Sequence, residues 1–247
     1  VEQLLFFGVA IIAGAINSVA GGGSFLLFPV LMFGGLSPVS ANVMCSVGMW
    51  PGSIASTYAY AKEIRTPFKT LRALVILSLI GGGIGSWILL HFPEQTFEAL
   101  VPWLLLGATL IFTFGRKLVA KLRLEHATMP KGWVYFLMLV IAIYGGYFGA
   151  GMGILMLAML QLMGHSHMHE MNGLKMMLSG AINAVAVCMF LISGEIVWQY
   201  AAVMVVGGII GGYAGSRLAL KVEPEKVRRF VVVLAAAMTA YFFLVPV

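Results

Sequence analysis

Charge is what this chain has least of. Only 10% of its 247 residues are charged, against 61% hydrophobic, and the mean hydropathy is +0.99. A soluble domain of that size cannot hide so much apolar surface, so a polytopic α-helical membrane protein is expected. Segments of alternating hydrophobicity are missing, which argues against a β-barrel. There are two cysteines, Cys45 and Cys188, each inside an apolar stretch, so no disulfide framework is expected. Acids are scarcer still in the apolar runs. Glu2, Glu63, Glu94, Glu98, Glu125, Glu170, Glu195, Glu223 and Glu225 all fall in loops or at segment ends. Cation pumps and proton relays rely on a carboxylate inside the membrane, so the pattern favours an anion as cargo. An intramembrane enzyme is disfavoured too, because no nucleophile and base stand at helical spacing. No cofactor is implied.

What the chain does have is glycine in the wrong places for a helix. The apolar run Leu4–Phe33 is interrupted by Ala20-Gly-Gly-Gly-Ser24, and Trp133–Met163 by Gly149-Ala-Gly-Met-Gly153. Glycine triplets end helices, and a broken helix in lipid survives only in contact with protein or a wet cavity. Two such breaks at matching places are a pointer to a transporter binding site. They do match: a constant shift of 130 residues lays Ala20, Gly21 and Gly23 on Ala150, Gly151 and Gly153. The same shift pairs Gly34 with Gly164, Asn42 with Asn172, Ser53 with Asn183, and Gly81-Gly82 with Gly211-Gly212.

The positive charges set a topology. All 15 Lys and Arg lie in or beside 62–72, 116–131, Lys175 and 217–229, while the loops at 34–40, 91–98 and 193–196 carry none. By the positive-inside rule the first group is cytoplasmic, and the net charge of +6 reflects loop placement rather than nucleic-acid binding. Between the inside loops at 131 and 164 the broken segment must cross an even number of times, so it is a hairpin. The expected architecture is therefore two inverted-topology repeats, each a glycine-broken re-entrant helical hairpin plus three transmembrane helices. The first repeat covers 1–115, with a hairpin at 1–33 and spans near 41–61, 73–90 and 99–115. A basic cytoplasmic connector occupies 116–131. The second repeat covers 132–247, with a hairpin at 132–163 and spans near 171–192, 197–220 and 230–247. Both termini are expected on or near the extracytoplasmic side, and a homo-oligomer stays open.

Each break should leave a helix start near mid-membrane, with N–H groups that can hold an anion. The expected substrate-binding residues are Asn17, Ser18, Gly21, Gly22, Gly23 and Ser24 at the first break, and Gly151 and Gly153 at the second. Asn42, Ser46 and Asn172 add uncharged donors on the following helices, and Trp50-Pro51-Gly52 a wall or hinge. Ser24 is a candidate cap for the second helix, and Ser37 and Ser40 for the third. Lys175 either turns inward as a counter-charge or snorkels back to the interface; its first-half equivalent is Cys45. Glycines at 81–85, and at 207, 211 and 215, read as helix packing. His165, His167 and His169 raise the alternative of a divalent-metal transporter, but they share one short loop without a cysteine, and no metal site is assigned.

The motifs Asn17-Ser-Val-Ala-Gly-Gly-Gly-Ser24, Ser37-Pro38, Asn42 and Trp50-Pro-Gly-Ser53 resemble the first repeat of the TauE/SafE sulfite exporter family. Tyr144-Gly-Gly-Tyr-Phe-Gly-Ala-Gly-Met-Gly153, Met171-Asn-Gly-Leu-Lys175 and Gly211-Gly-Tyr-Ala-Gly-Ser-Arg217 resemble its second. The resemblance covers nearly the whole chain. It implies a multi-pass bacterial inner-membrane protein that moves sulfite, an organosulfonate or another small organic anion.

Overall fold

The computed structural model describes residues 2–125, 129–219 and 224–244, and every regular element among them is helical. In chain order these are α1 (Glu2–Ala20), α2 (Ser24–Phe33), α3 (Pro38–Tyr60), α4 (Phe68–His91) and α5 (Glu94–Glu125). Then follow α6 (Lys131–Tyr147), α7 (Met152–Leu162), α8 (Met168–Phe190), α9 (Trp198–Ala219) and α10 (Pro224–Leu244). Among the described residues α1, α4, α8 and α9 are each long and apolar enough to cross a bilayer. Ile12, Trp87, Trp103, Trp133, Phe136 and Ile209 stand exposed around the bundle. So much apolar surface suits contact with lipid chains rather than water.

Local chemistry explains where the helices begin and end. The Ser37 hydroxyl accepts the Ser40 N–H at 3.3 Å, and Pro38 occupies the first turn, where its missing N–H is harmless. The span expected from 41 therefore starts at Pro38, and Ser40 is not the cap. Helix α5 does not stop at 115 but continues to Glu125, so most of the basic connector is helical. Arg116-Lys-Leu-Val-Ala-Lys-Leu-Arg-Leu-Glu125 contains no breaker and is rich in strong helix formers. Helix α3 also runs on through Pro51.

Two hairpins dominate the interior. Gly21 donates its N–H to Asn17 O at 3.0 Å, closing α1, and takes a φ of +79° that turns the chain. Helix α2 then runs back: a Cβ placed on Gly34 would lie 2.6 Å from the ring of Phe6. At the second hairpin the Met129 N–H donates to Leu162 O at 3.1 Å, joining the start of α6 to the end of α7. Each broken segment thus brings its two ends together.

Helices α3 and α8 pack against each other in opposite directions. At one end Ser40 donates to the Glu195 carboxylate at 2.5 Å. At the other, the Glu170 carboxylate accepts the Arg65 N–H at 3.2 Å and the Thr66 hydroxyl at 3.0 Å. Adding 130 to Ser40 and to Arg65 gives Glu170 and Glu195, so the two clasps relate the same pair of positions. Packing repeats in the same way: α1 lies along α9 as α6 lies along α4, and α3 meets α9 as α8 meets α4. Thr109 and Thr239, which are 130 residues apart, bond to each other at 3.0 Å.

The close contacts are made backbone to backbone. A Cβ on Gly14 would come within 2.9 Å of Gly208 O and 3.0 Å of Gly212 N. Gly211 faces Ile11, Gly215 faces Ala15, and Gly82 faces Ile182 in the other half. In lipid, where burial of apolar area gives helices little reason to associate, this close packing of small residues holds them together.

Candidate functional site

The two breaks meet in the middle of the bundle. A Cβ on Gly21 would sit 2.9 Å from the Gly153 Cα, and one on Gly153 would sit 2.7 Å from the Gly21 Cα. Phe25 packs over Gly151, whose φ of +75° makes the second turn. Only paired glycines admit such an approach, because a side chain on either residue would strike main chain. The break residues Gly21, Gly22, Gly23, Gly151 and Gly153 are all buried. Among the described residues the N–H groups of Gly22, Gly23 and Ser24 have no backbone acceptor, nor has that of Gly153. Helices α2 and α7 therefore direct unspent N–H groups and positive dipole ends toward the centre.

Lys175 lies beside this crossing and is 0% exposed. Its Cδ would be 3.2 Å from a Cβ on Gly153. The ammonium donates to Asn17 O at 2.9 Å, to Ser18 O at 3.1 Å and to Asn172 Oδ1 at 3.2 Å. Of the two orientations open to this lysine, the structure has the inward one. Its partners are the last carbonyls of α1, the negative end of a helix dipole equivalent to about half a charge. No described carboxylate pairs with it. Burying an ammonium without a full counter-charge costs several kcal/mol, and the neighbouring helix starts add further positive potential.

Of the remaining expected residues, Asn17, Gly23 and Ser24 gather around Met49, which the sequence did not point to: Met49 Cε and Asn17 Cβ flank Gly23, and the Ser24 hydroxyl points to the Met49 sulfur at 3.8 Å. Asn17, Ser24, Ser46 and Trp50 each keep part of their surface accessible, unlike the buried glycines. The cap of α2 is Gly23, with no side-chain hydrogen bond, so Ser24 does not cap it. The Ser18 hydroxyl donates to Ala15 O at 2.8 Å, so this residue contributes its carbonyl to the site rather than its side chain. Ser46 donates to Asn42 O at 3.3 Å. Asn42 stands apart, its amide donating to Tyr147 O at 2.9 Å at the end of α6. Trp50 borders an apolar groove of about 510 Å³ between α3 and α8, together with Ile54, Gly180 and Ala184.

His165 lies 3.5 Å from the Glu170 carboxylate and joins the clasp to Thr66. Among the described residues no three metal-ligating side chains gather closely enough to hold an ion.

One residue at the centre escaped the sequence reading. Tyr60, at the end of α3, is fully buried, and its hydroxyl has no hydrogen-bond partner. Tyrosine near a helix end reads as an interfacial anchor, which hid it. The signal available was its place in the repeat, where the 130-residue shift pairs it with Phe190.

An all-helical membrane bundle with two broken helices meeting around a buried, uncompensated lysine has the parts of a membrane transporter. The comparisons agree. The sulfite exporter TauE/SafE family matches residues 6–242, and the chain belongs to that family. A "Probable membrane transporter protein" of Haemophilus influenzae is 25% identical over 240 residues, covering 96% of this chain and 92% of the relative. "Probable membrane transporter protein YfcA" of Escherichia coli K12 is 28% identical over 244 residues, covering 96% and 87%. "Probable membrane transporter protein ORF9" of a Sinorhizobium species is 26% identical over 233 residues, covering 94% and 88%. These are names of transporters, not of enzymes. No solved structure matches the chain.

Proposed function

We propose that this membrane transporter carries a small sulfur-containing anion, such as sulfite or an organosulfonate, out of a bacterial cell across the inner membrane. The observation that carries the reading is the contact of Gly21 with Gly153 beside a buried ammonium that lacks a carboxylate. An anion there would be held by helix N-termini, by the Lys175 field and by uncharged donors from Asn17, Ser24, Ser46 and Asn172. The two halves, 1–115 and 132–247, are inverted repeats that enter the bilayer from opposite faces and rock about the shared centre. Both hairpins are re-entrant, both termini lie on or near the extracytoplasmic side, and the clasps at Glu195 and Glu170 close the outer and inner ends. An inside-negative potential supplies about 2.3 kcal/mol per charge per 100 mV in the outward direction.

The test is flux from proteoliposomes under an imposed potential, with sulfite, ethanesulfonate and acetate as separate cargoes. Sulfite or sulfonate efflux that rises with potential and drops in Lys175→Ala supports the reading. Absence of anion flux in the wild-type protein under every potential removes it.

A further inference from the structure

The internal repeat supplies its own control, because positions that merely hold the fold should do the same job in both halves. At the end of α6 such a job is visible: Asn42 donates its amide to Tyr147 O. The shift of 130 turns that pair into Asn172 and Asn17. Yet Asn17 O is taken by the Lys175 ammonium at 2.9 Å, and the Asn172 Nδ2, fully buried, has no partner at all. Lys175 is an intrusion, since its counterpart Cys45 is a small buried thiol. Tyr60 is another, since its counterpart Phe190 is buried and apolar.

These departures gather in one place. The Tyr60 side chain faces those of Asn172 and Ser216, and its Cβ lies 3.1 Å from where a Cβ on Gly173 would be. The Ser216 hydroxyl donates to Gly212 O at 2.8 Å and, like the phenol oxygen, keeps acceptor capacity, yet neither the Tyr60 hydroxyl nor the Asn172 Nδ2 closes a hydrogen bond in this geometry. Two buried donors thus stand unpaired next to an ammonium. Orphaned buried donors each cost about 1–3 kcal/mol and persist in native proteins where something else uses them. Here the spare groups are donors, and the local charge is positive.

We infer that the Tyr60 hydroxyl and the Asn172 amide, with Lys175 behind them, form the oxyanion subsite of the transporter, built in one half of the repeat and absent from the other. The inference rests on the anion-transport reading and specifies it. A small oxyanion, with acceptor oxygens only, takes both spare donors at once. The three protons of the ammonium are spent on Asn17 O, Ser18 O and Asn172 Oδ1, so Lys175 contributes its field until an anion oxygen replaces one of them. A cation or an uncharged polar solute gains nothing from this set. The subsite lies at the α1 carbonyl end, displaced from the glycine crossing toward the side of Tyr60, so it loads from the face that carries Glu170 and His165.

The experiment measures equilibrium binding of sulfite and of ethanesulfonate to purified protein in nanodiscs, alongside the thermal midpoint. Tyr60→Phe keeps the ring and removes only the spare donor; it should weaken binding about ten- to hundredfold with no fall in the midpoint. Asn172→Asp keeps the oxygen that Lys175 bonds, replaces the free donor by an acceptor and neutralises the ammonium. It should abolish binding while the protein stays folded. Wild-type affinity in both variants, or loss of binding only in step with loss of stability, overturns the subsite. If wild-type proteoliposomes still transport sulfite in that case, the transport reading survives. If the wild-type protein neither binds nor moves either anion, both fall.

Discussion

Gly21→Ala tests the central contact most directly, because the structure separates its two costs. The first is conformational: Gly21 has a φ of +79°, a region that charges an L-residue about 1–2 kcal/mol. The second is steric. The new methyl would meet the Gly153 Cα at 2.9 Å and its carbonyl carbon at 3.0 Å, both main chain that cannot rotate aside. Forced overpacking of that kind adds about 1–3 kcal/mol, for a total of roughly 2–5 kcal/mol. Two controls resolve the sum. Gly35 has a φ of +84° with nothing within 4 Å of an added Cβ, so Gly35→Ala should show the conformational cost alone. Gly153 carries no positive φ but would meet Gly21 at 2.7 Å, so Gly153→Ala should show the steric cost alone. Unfolding in mild detergent, followed by denaturant titration, reads all three. The reasoning is refuted if Gly21→Ala loses no more stability than Gly35→Ala, since the two breaks would then not be in contact.

Other consequences can be checked separately. Gly107→Ala, in the middle of α5 with open space around it and an ordinary backbone, should be neutral or stabilise by about 0.5–1 kcal/mol in the same titration. Asn42→Leu leaves Tyr147 O without its donor and should cost about 1–3 kcal/mol, and Asn172→Leu takes an acceptor from the buried ammonium and should cost about 1.5–3 kcal/mol in the same titration. Ser40→Ala and Thr66→Val each remove a hydrogen bond to a clasp carboxylate, worth about 1.5–3 kcal/mol. Each should raise thiol labelling of a cysteine placed behind its own clasp and not behind the other; equal effects at both ends would contradict independent clasps. A tag inserted beside Glu195 should be labelled from outside intact cells, and labelling only after permeabilisation would overturn the orientation.

The sequence by itself determined the environment and the punctuation of this protein. Sparse charge and long apolar runs demand helices in lipid, because backbone groups there must bond within their own segment. Glycine clusters mark where those helices stop, and the 130-residue shift pairs Asn42 with Asn172 and one break with the other, all readable by spacing. What spacing cannot report is which way a side chain turns or what stands opposite it. Lys175 could equally have snorkelled; its orientation was decided by the open carbonyls of Asn17 and Ser18, which exist only once α1 ends beside α8. Ser18 looked like a side-chain donor to a ligand, but its hydroxyl turns to the Ala15 carbonyl of its own helix. Tyr60 was marked in the sequence only by standing opposite Phe190 in the repeat; that its hydroxyl is buried without a partner belongs to the fold. Composition and period act along the chain and are legible there, whereas hydrogen-bond partnership depends on neighbours more than a hundred residues away and belongs to the folded molecule alone.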